Sequence, residues 1–464
     1  MTHFPTPPTL FNFPLTQTIS PDRPGALLRL LEAARKNALL YLRGHPIVTQ
    51  SLHEFHAGLS VVLKTRPSVR FDVYEDAFFL GDRILLEESL HASGLLEQLM
   101  AQRVGSLEFV QGVSLDEAAR LVEILVAASG GGPAVGDAVG EANLHYIKTG
   151  PPRAQSVDEA KEAMIAPREL YRIGLRTMDA LNYQAVQGTP LNLRNARLLA
   201  NSLVKVILQD HNALLGVAAL YQHDEDTCHH SVNVAVLSLM LGLRLGLEEN
   251  MLPALGTAAL LHDVGKMRIP RSLLGKSSHL TATEQSVIES HTLHGAALVQ
   301  HLRGLSQTAM LVALEHHLNH DLSGYPRLLK VAHQHLFTQV VAIGDFFDAS
   351  TSARRTDRKP MLPDQAVQTI VAGAGTRFEP TLAKLFFHTV GAYPVGSVVR
   401  LTSGEIAVVY RTAEGHPLQP PLKMVRDAQG AVIDPVPVDL SQDGRRIAYS
   451  IDPIKASIDL AAYL

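Results

Sequence analysis

One stretch of the sequence places three reactive side chains at the end of an apolar run. The run Met251–Leu261 is followed directly by His262 and Asp263, and Lys266 comes three residues later. Imidazole and carboxylate together suit iron, manganese or zinc better than magnesium or calcium, and the lysine cation attracts phosphate. Because burying polar groups without partners costs free energy, an apolar helix that ends in these groups indicates a binding site.

Further histidines and acids follow the spacing of helix faces on both sides of this stretch. They are Asp226, His230, His291, His316, His317 and Asp345. Asp226 and His230 are four residues apart and would share one face of a helix. On a helix the adjacent His316 and His317 would diverge by about 100°, so we expect each to address one of two ions, or one ion and a substrate. Two divalent ions suit in-line attack of a water-derived nucleophile on a phosphoester.

The order of these motifs resembles the HD-GYP family of the HD phosphohydrolase superfamily. The matching motifs are His230, the HDxGK stretch at His262–Lys266, His291, the HH pair followed by Gly324-Tyr325-Pro326, and Asp345. The resemblance runs from about Leu220 to Phe387, includes Gly375–Pro380 (GTRFEP), and continues through Gly391–Tyr410. It implies an HD-type helical bundle that hydrolyses cyclic di-GMP to the linear dinucleotide pGpG, with GMP as a further product.

The resemblance also implies a role for each matching residue. The metal ligands would be His230, His262, Asp263, His291, His316, His317 and Asp345, with Asp226 as an extra ligand where a third ion is bound. Asp263 would bridge the ions and, with Lys266, serve catalysis. Lys266, Tyr325 and Arg354 would contact the substrate. The cofactors would be two or three divalent ions, with iron or manganese favoured.

Some positions depart from the family pattern and leave the substrate open. Leu318 stands where the family usually has Glu, and Leu322 where it has the first Gly of the loop. After Arg354 the chain has Arg355-Thr356-Asp357, where the family often has Pro-Tyr-Arg. The alternatives are a phosphodiesterase for another cyclic dinucleotide, such as cyclic GMP-AMP, or a catalytically weak cyclic-dinucleotide receptor or scaffold.

The rest of the chain predicts a mainly α protein with a β-rich segment at each end. Mixed helical and strand periods predict an α+β regulatory or dimerisation domain at 1–130, and Gly- and Pro-rich ends predict a linker at 131–157. A helical connector is expected at 158–220, with one long helix over Asn192–Tyr221, before the phosphodiesterase domain at 221–390. Alternating apolar residues predict a small β-module at 391–464, with strands at Ser397–Leu401, Glu405–Tyr410, Leu422–Val425 and Arg446–Ile451.

Composition excludes several other classes of protein. The net charge of −4 argues against binding to DNA or RNA polymers. The single cysteine, Cys228, excludes an internal disulfide framework. We find neither an apolar run of the roughly 20 residues that span a bilayer nor a secretory signal, and therefore expect a cytoplasmic protein. The N-terminal domain or the helical connector is the expected site of any homodimer.

Overall fold

A computed structural model describes most of the chain. The described residues are 23–74, 77–81, 83–152, 165–189, 191–220, 227–276, 278–300, 307–327, 333–352 and 359–464. The chain divides into two compact units, Met1–Ala163 and Met164–Leu464. Helices dominate, with one small antiparallel sheet in each unit, so the mainly α fold class is confirmed.

The first unit is a five-stranded antiparallel sheet packed with helices. Its helices are α1 (Ala26–Leu40), α2 (Pro46–Leu63), α3 (Leu86–His91), α4 (Ser93–Ala101), α5 (Leu115–Ser129) and α6 (Val135–Glu141). Its strands are β1 (Ser68–Tyr74), β2 (Ala77–Leu80), β3 (Arg83–Ile84), β4 (Ser106–Val110) and β5 (Ile147–Gly150), in the order β3-β2-β1-β4-β5. Along β1 buried and less buried residues alternate, so one face of the sheet covers an apolar core that includes Phe55, Phe71 and Phe109.

Part of the segment predicted as a linker is folded into this unit. Helix α6 and edge strand β5 both lie within 131–157, and β5 pairs with β4. Val135, Val139 and Ile147 are buried in the core of the unit. The Gly- and Pro-rich stretches at either end mark turns, but the apolar residues between them bury enough surface to order the segment.

The second unit is a helical bundle followed by a second sheet. Its helices are α7 (Pro167–Gln187), α8 (Leu193–Gln209), α9 (His211–Leu220), α10 (Thr227–Leu245), α11 (Leu252–Leu261), α12 (Arg271–Leu274), α13 (Ala282–Glu289), α14 (His291–Gln300), α15 (Gln307–Glu315), α16 (Leu336–Thr351), α17 (Pro363–Ala372), α18 (Pro380–Val390) and α19 (Leu440–Asp443). Short 3₁₀ helices lie at Glu249–Met251, Val264–Arg268 and Leu460–Ala462.

Two apolar helices form the centre of the bundle. Helix α10 is buried from Cys228 to Gly242, and eight of the ten residues of α11 are buried. Helix α11 packs against α8 and α10, while α10 also packs against α16. Because α11 is surrounded by other helices, the polar residues that follow Leu261 emerge inside the bundle.

The predicted single helix over Asn192–Tyr221 is two helices. The axes of α8 and α9 differ by 116°, because Asp210 is extended between them and its carboxylate accepts a hydrogen bond from the Asn212 amide at 3.0 Å. An acid that bonds to the backbone two residues on favours a turn. Across the described residues, no single helix is long and apolar enough to cross a membrane; only the bent pair α8 and α9 meets the length and composition criteria together.

The C-terminal sheet contains one strand that the sequence did not predict. The sheet comprises β6 (Val398–Leu401), β7 (Ile406–Val409), β8 (Pro421–Arg426), β9 (Val432–Asp439) and β10 (Ile447–Ile451), in the order β10-β6-β7-β8-β9. The unexpected strand is β9, which is mostly exposed and contains Pro435 and Pro437. Proline cannot donate a ladder hydrogen bond and is tolerated at a sheet edge, which is the position of β9.

Candidate metal centre

The structure brings seven of the eight candidate ligands together inside the bundle. They form two groups whose potential ligand atoms lie within 4.8 Å of one another. The His230 group contains His230, His262 and Asp345, and the His291 group contains Asp263, His291, His316 and His317. Six of these seven residues are buried, and the side chain of the seventh, His317, is 24% exposed. Residues from five separate segments therefore meet in one polar cluster.

Asp263 connects the two groups. Its Oδ2 atom lies 3.4 Å from Nε2 of both His230 and His262. Its Oδ1 atom lies 3.3 Å from His291 Nε2 and 3.5 Å from His316 Nε2. Oδ1 is buried and has no hydrogen-bond partner among the described residues. One carboxylate thus faces each group with a different oxygen, which is the arrangement expected of a ligand shared by two ions.

Hydrogen bonds fix which nitrogen carries the proton in three histidines of the cluster. Nδ1 of His262 lies 2.7 Å from the Ala259 carbonyl, and Nδ1 of His291 lies 2.6 Å from the Ile288 carbonyl. Nδ1 of His316 lies 3.0 Å from the Val312 carbonyl. Since a carbonyl can only accept, each Nδ1 is the donor, and in the neutral ring Nε2 keeps its lone pair.

These lone pairs point at one another. Nε2 of His291 and Nε2 of His316 are 3.3 Å apart, and Nε2 of His230 and His262 are 3.2 Å apart. Two lone pairs at this distance repel unless positive charge lies between them. The cluster therefore needs either protons or metal ions at its centre.

The pKa values of the histidines and carboxyls in the cluster are consistent with a need for positive charge at its centre. Burial lowers the pKa of His262, but the carboxylates of Asp263 and Asp345 outweigh it and raise that pKa to about 10. For His291 burial dominates and lowers the pKa to about 3. Burial opposes ionisation of both carboxyls, yet the pKa of each lies well below its usual value. Lys266 and neighbouring histidines lower the pKa of Asp263, and histidines alone lower that of Asp345. The centre is thus a buried anionic site lined with imidazoles.

The chain turns tightly after Asp263, and this turn positions Lys266 and requires glycine at position 265. The 3₁₀ helix Val264–Arg268 turns Lys266 back, and its Nζ bonds to Asp263 Oδ2. A Cβ on Gly265 would lie 1.9 Å from the His291 carbonyl oxygen. Only glycine permits this approach, so the glycine of the HDxGK motif is what allows the Asp263 turn to lie against α14.

The pair His316 and His317 is arranged differently from the sequence expectation. Helix α15 ends at Glu315, and both histidines lie in the turn that follows. The divergence of about 100° between helical neighbours does not apply there, and both rings belong to the His291 group with centroids 4.1 Å apart. His317 also lies near the other group, with Nδ1 3.8 Å from Asp345 Oδ2.

The loop after these histidines carries Tyr325 to the cluster. The Tyr325 ring lies 4.6 Å from the His317 ring, and the Tyr325-Pro326 peptide bond is cis. Leu318, at the position where the family usually has Glu, is buried and pairs with Gly324 in a β-bridge. Leu322 has a φ of +64°, a conformation that favours glycine. This backbone conformation explains why glycine is usual at this position in the family whose motifs the chain resembles.

Two residues named from the sequence lie outside the described part of the chain. They are Asp226, the candidate ligand of a third ion, and Arg354, the candidate phosphate contact. Their assignments stay predictions.

The sequence reading assigned no role to a chain of residues behind His230. Asp348 Oδ2 accepts from His230 Nδ1 at 2.7 Å, and Asp348 Oδ1 accepts from Asn233 Nδ2 at 2.8 Å. The Tyr171 hydroxyl donates to Asn233 Oδ1 at 2.7 Å. Their spacing held a signal, because Asn233 follows His230 by three residues and Asp348 follows Asp345 by three, so each pair shares a helix face.

The residues present fit divalent metal ions. Three features suit a metal centre: the Nε2 lone pairs converge, Asp263 has a buried oxygen without a hydrogen-bond partner among the described residues, and a carboxylate lies behind the candidate ligand His230. Nitrogen and carboxylate ligands without thiolate suit iron, manganese or zinc.

Sequence comparison assigns this region to a family. Residues 202–382 match the HD domain family, so the centre of the chain is an HD domain. This match supports the resemblance to the HD-GYP family of the HD phosphohydrolase superfamily that is seen in the motifs.

Relatives with named activities match part of this chain. The cyclic di-GMP phosphodiesterase PA4108 of Pseudomonas aeruginosa is 33% identical over 264 residues, covering 56% of this chain and 63% of the relative. The 3'3'-cGAMP-specific phosphodiesterase 2 of Vibrio cholerae is 33% identical over 171 residues, covering 37% of this chain and 33% of the relative. The chain thus spans less than two thirds of the length of either relative.

Among solved structures, Bd1817, an HDG"Y"P protein from Bdellovibrio bacteriovorus, is similar with a TM-score of 0.40 and 16% identity. That match covers 50% of this chain and 73% of Bd1817.

Proposed function

We propose that this protein is a metal-dependent phosphodiesterase that hydrolyses cyclic di-GMP to pGpG, with GMP as a further product. The observation that carries the proposal is the convergence of four Nε2 lone pairs on the two oxygens of Asp263. Relatives named as cyclic di-GMP phosphodiesterases support the substrate class. The proposed cofactors are two or three divalent ions, iron or manganese.

The residues of the chain divide the chemical work between them. The His230 group would hold one ion, the His291 group a second, and Asp263 both. Bound divalent ions would polarise the phosphoryl oxygens and lower the pKa of a coordinated water.

Lys266 and Tyr325 would act on the substrate at this centre. Lys266 lies against Asp263 and is partly exposed, so its Nζ can neutralise charge that develops on a phosphoryl oxygen; such preorganised electrostatic stabilisation is usually the largest catalytic contribution. Tyr325, beside His317, would border the nucleotide. Arg354 remains the proposed contact for a substrate phosphate.

A second candidate substrate is 3'3'-cyclic GMP-AMP. A relative specific for that nucleotide matches this chain with the same 33% identity. The loop that carries Tyr325 departs from the family pattern at Leu318 and Leu322, and a change in the shape of this loop would alter the space beside Tyr325 for a base. A third possibility, a receptor or scaffold with little turnover, predicts binding without hydrolysis.

The test is a comparison of hydrolysis rates on the two cyclic dinucleotides. Full-length protein purified without oxygen and loaded with iron or manganese should convert cyclic di-GMP to pGpG faster than it consumes cyclic GMP-AMP. His291→Ala should abolish turnover, whereas His294→Ala should retain it, because His294 is exposed on the same helix. Tight nucleotide binding with no turnover in metal-loaded protein would instead establish a receptor.

We further propose that the first unit regulates the HD domain or mediates homodimerisation. Its core is apolar and closed, and no described residue in it belongs to a candidate metal group. Light scattering of the full-length protein with and without nucleotide tests the dimer.

A further inference from the structure

Arg377 is a cation that lies beside the metal centre and is not used in the mechanism above. It belongs to the GTRFEP turn between α17 and α18. Its guanidinium carbon lies 4.2 Å from the centroid of the Phe346 ring and 5.4 Å from that of Phe378. Phe346 directly follows the candidate ligand Asp345 on α16. The stacking holds the guanidinium against α16, close enough to Asp345 for the two charges to interact.

The turn that carries Arg377 is joined to the loop that carries Tyr325. The Arg377 carbonyl accepts a hydrogen bond from the His320 amide at 3.0 Å, and the Thr376 carbonyl accepts one from the Asp321 amide at 3.0 Å. Asp345 and Tyr325 are the charged or titratable side chains whose electrostatic fields act on the guanidinium. The turn and the loop thus form one wall, and Arg377 lies on the side of that wall that faces Asp345 and Tyr325.

The guanidinium is available to a ligand. Arg377 forms no salt bridge with any carboxylate in the described part of the chain, and the residue is exposed. Burial of part of the side chain lowers the pKa of the guanidinium from its usual value, and arginine remains charged in proteins even so. Stacking on Phe346 fixes the plane of the guanidinium while its N–H groups stay free to donate.

A cyclic dinucleotide has two phosphodiesters, and only one can react at the metal centre at a time. The second carries a negative charge that needs a partner outside the metal groups. Arginine suits this task because its planar fork donates two parallel hydrogen bonds to phosphate oxygens. We propose, building on the function proposed above, that Arg377 binds the non-reacting phosphate of the cyclic dinucleotide and positions it against the loop that carries Tyr325.

The test compares two substrates that differ in this second phosphate. Bis(p-nitrophenyl) phosphate has a single phosphodiester and no nucleotide. For Arg377→Gln we expect kcat/KM for cyclic di-GMP to fall by about 10- to 100-fold, mainly through KM, since one charge-assisted contact is lost. The fall for bis(p-nitrophenyl) phosphate should be at least about five times smaller, and Arg377→Lys should recover part of the cyclic di-GMP rate.

A matched control removes another stacked cation. Lys423 lies 4.9 Å from the centroid of the Tyr410 ring in the C-terminal sheet, so Lys423→Gln removes a cation–π contact far along the chain from the metal ligands. It should leave both substrates unaffected. Equal losses on both substrates in Arg377→Gln, or a loss of thermal stability that matches the loss of activity, would show a purely structural role and overturn the proposal, as would no change at all.

Equilibrium binding separates failure of this inference from failure of the proposed function. Binding of cyclic di-GMP to the His291→Ala background should weaken about 10- to 100-fold when Arg377→Gln is added. If the wild-type protein binds cyclic di-GMP without hydrolysing it, the proposed activity fails while a weaker Arg377→Gln complex still supports the phosphate contact. If binding is unchanged by Arg377→Gln, the contact is wrong whatever the activity.

Discussion

The two groups of the candidate metal centre orient their histidines in different ways. In the His291 group, Nδ1 of His291 and of His316 bonds to a backbone carbonyl three or four residues earlier. In the His230 group, His262 does the same, but His230 bonds to the carboxylate of Asp348, which lies 118 residues away in the chain. Local backbone therefore orients His291 and His316, whereas the orientation of His230 depends on a contact between α10 and α16.

This difference determines which histidines can be reoriented by substitution of another side chain. A backbone carbonyl cannot be removed by changing its side chain, so the orientation of His291 and His316 is robust. The orientation of His230 depends on Asp348, which is in turn held by Asn233 and, through it, by Tyr171. A carboxylate behind a ligating histidine also increases its basicity. The His230 group should be the half whose metal affinity can be tuned from a distance.

The largest effect on turnover and metal content is expected from substitution of Asp263, the residue that faces both groups. Asp263→Ala should abolish turnover and lower the bound metal to near zero, because each carboxylate oxygen faces a different group. Asp345→Ala should mainly affect the His230 group and leave about one ion per chain. Elemental analysis of protein purified without oxygen measures both. Equal metal content in the two variants would mean that Asp263 does not connect the groups.

The next largest effect is expected from a substitution that disturbs only the orientation of His230 by Asp348. Asp348→Asn should lower the affinity for one metal ion by about 10- to 100-fold, the usual cost of losing a residue behind a metal ligand. The affinity for the other ion should not change. Competition with a graded series of chelators measures the two affinities separately. The two halves would not differ as described if both ions weakened together.

Further from the metal, Asn233→Ala should destabilise the protein by about 1–3 kcal/mol, because Asp348 Oδ1 loses its donor and stays buried. Tyr171→Phe should cost less, about 0.5–1.5 kcal/mol, because one neutral hydrogen bond to Asn233 is lost. Urea unfolding with metal present provides both values. A larger loss from Tyr171→Phe than from Asn233→Ala would contradict this order.

A smaller effect concerns the loop beside the His291 group. Leu322 has a φ of +64° and is 38% exposed, so Leu322→Gly should remove a backbone strain of about 1–2 kcal/mol while adding flexibility to the unfolded chain. We expect a rise in Tm of a few degrees at most. The control is Leu208→Gly, at an exposed helical position of α8, which should lower Tm because glycine costs about 1 kcal/mol in a helix. A lower Tm in both variants would show that position 322 is unstrained.

The smallest effect is at the helix that leads into His291. Glu284 caps α13 and bonds to Lys276, and these contacts lower the pKa of Glu284 to about 2. Because the folded pKa lies below the unfolded value, the stabilisation is present at neutral pH and is lost as pH falls from about 4.5 towards 2. Glu284→Gln should lower Tm slightly at neutral pH, and the difference from wild type should shrink across that window. A difference that grew on acidification would contradict the sign of this pKa shift.

Much of the centre could be predicted from residue types and their order. His262, Asp263 and Lys266 follow an apolar run, and apolar period alone predicts the buried helix before them. The pairs Ser114 with Glu117 and Thr281 with Glu284 have the spacing of a capping box, and α5 and α13 begin there with the reciprocal hydrogen bonds. Local rules sufficed in these places because a helix start and an apolar face depend on neighbours within a turn or two.

The same local rules did not predict other features of the structure. Asp210 divides a periodic segment into α8 and α9, and the end of α15 before His316 places two adjacent histidines in one metal group. Strand β9 contains two prolines and was recognisable only once β8 lay beside it. In each case a contact with another part of the chain or the exact end of a helix overrides the periodic pattern.

The sequence by itself determined the kinds of ligand, their order and the helices that bear most of them. Only the tertiary structure decided that Asp263 faces both groups, that Asp348 orients His230, and that the Arg377 turn lies against the Tyr325 loop. The physical reason is that ligand chemistry and helix propensity are local properties, whereas a shared centre depends on how close-packed helices bring distant segments together.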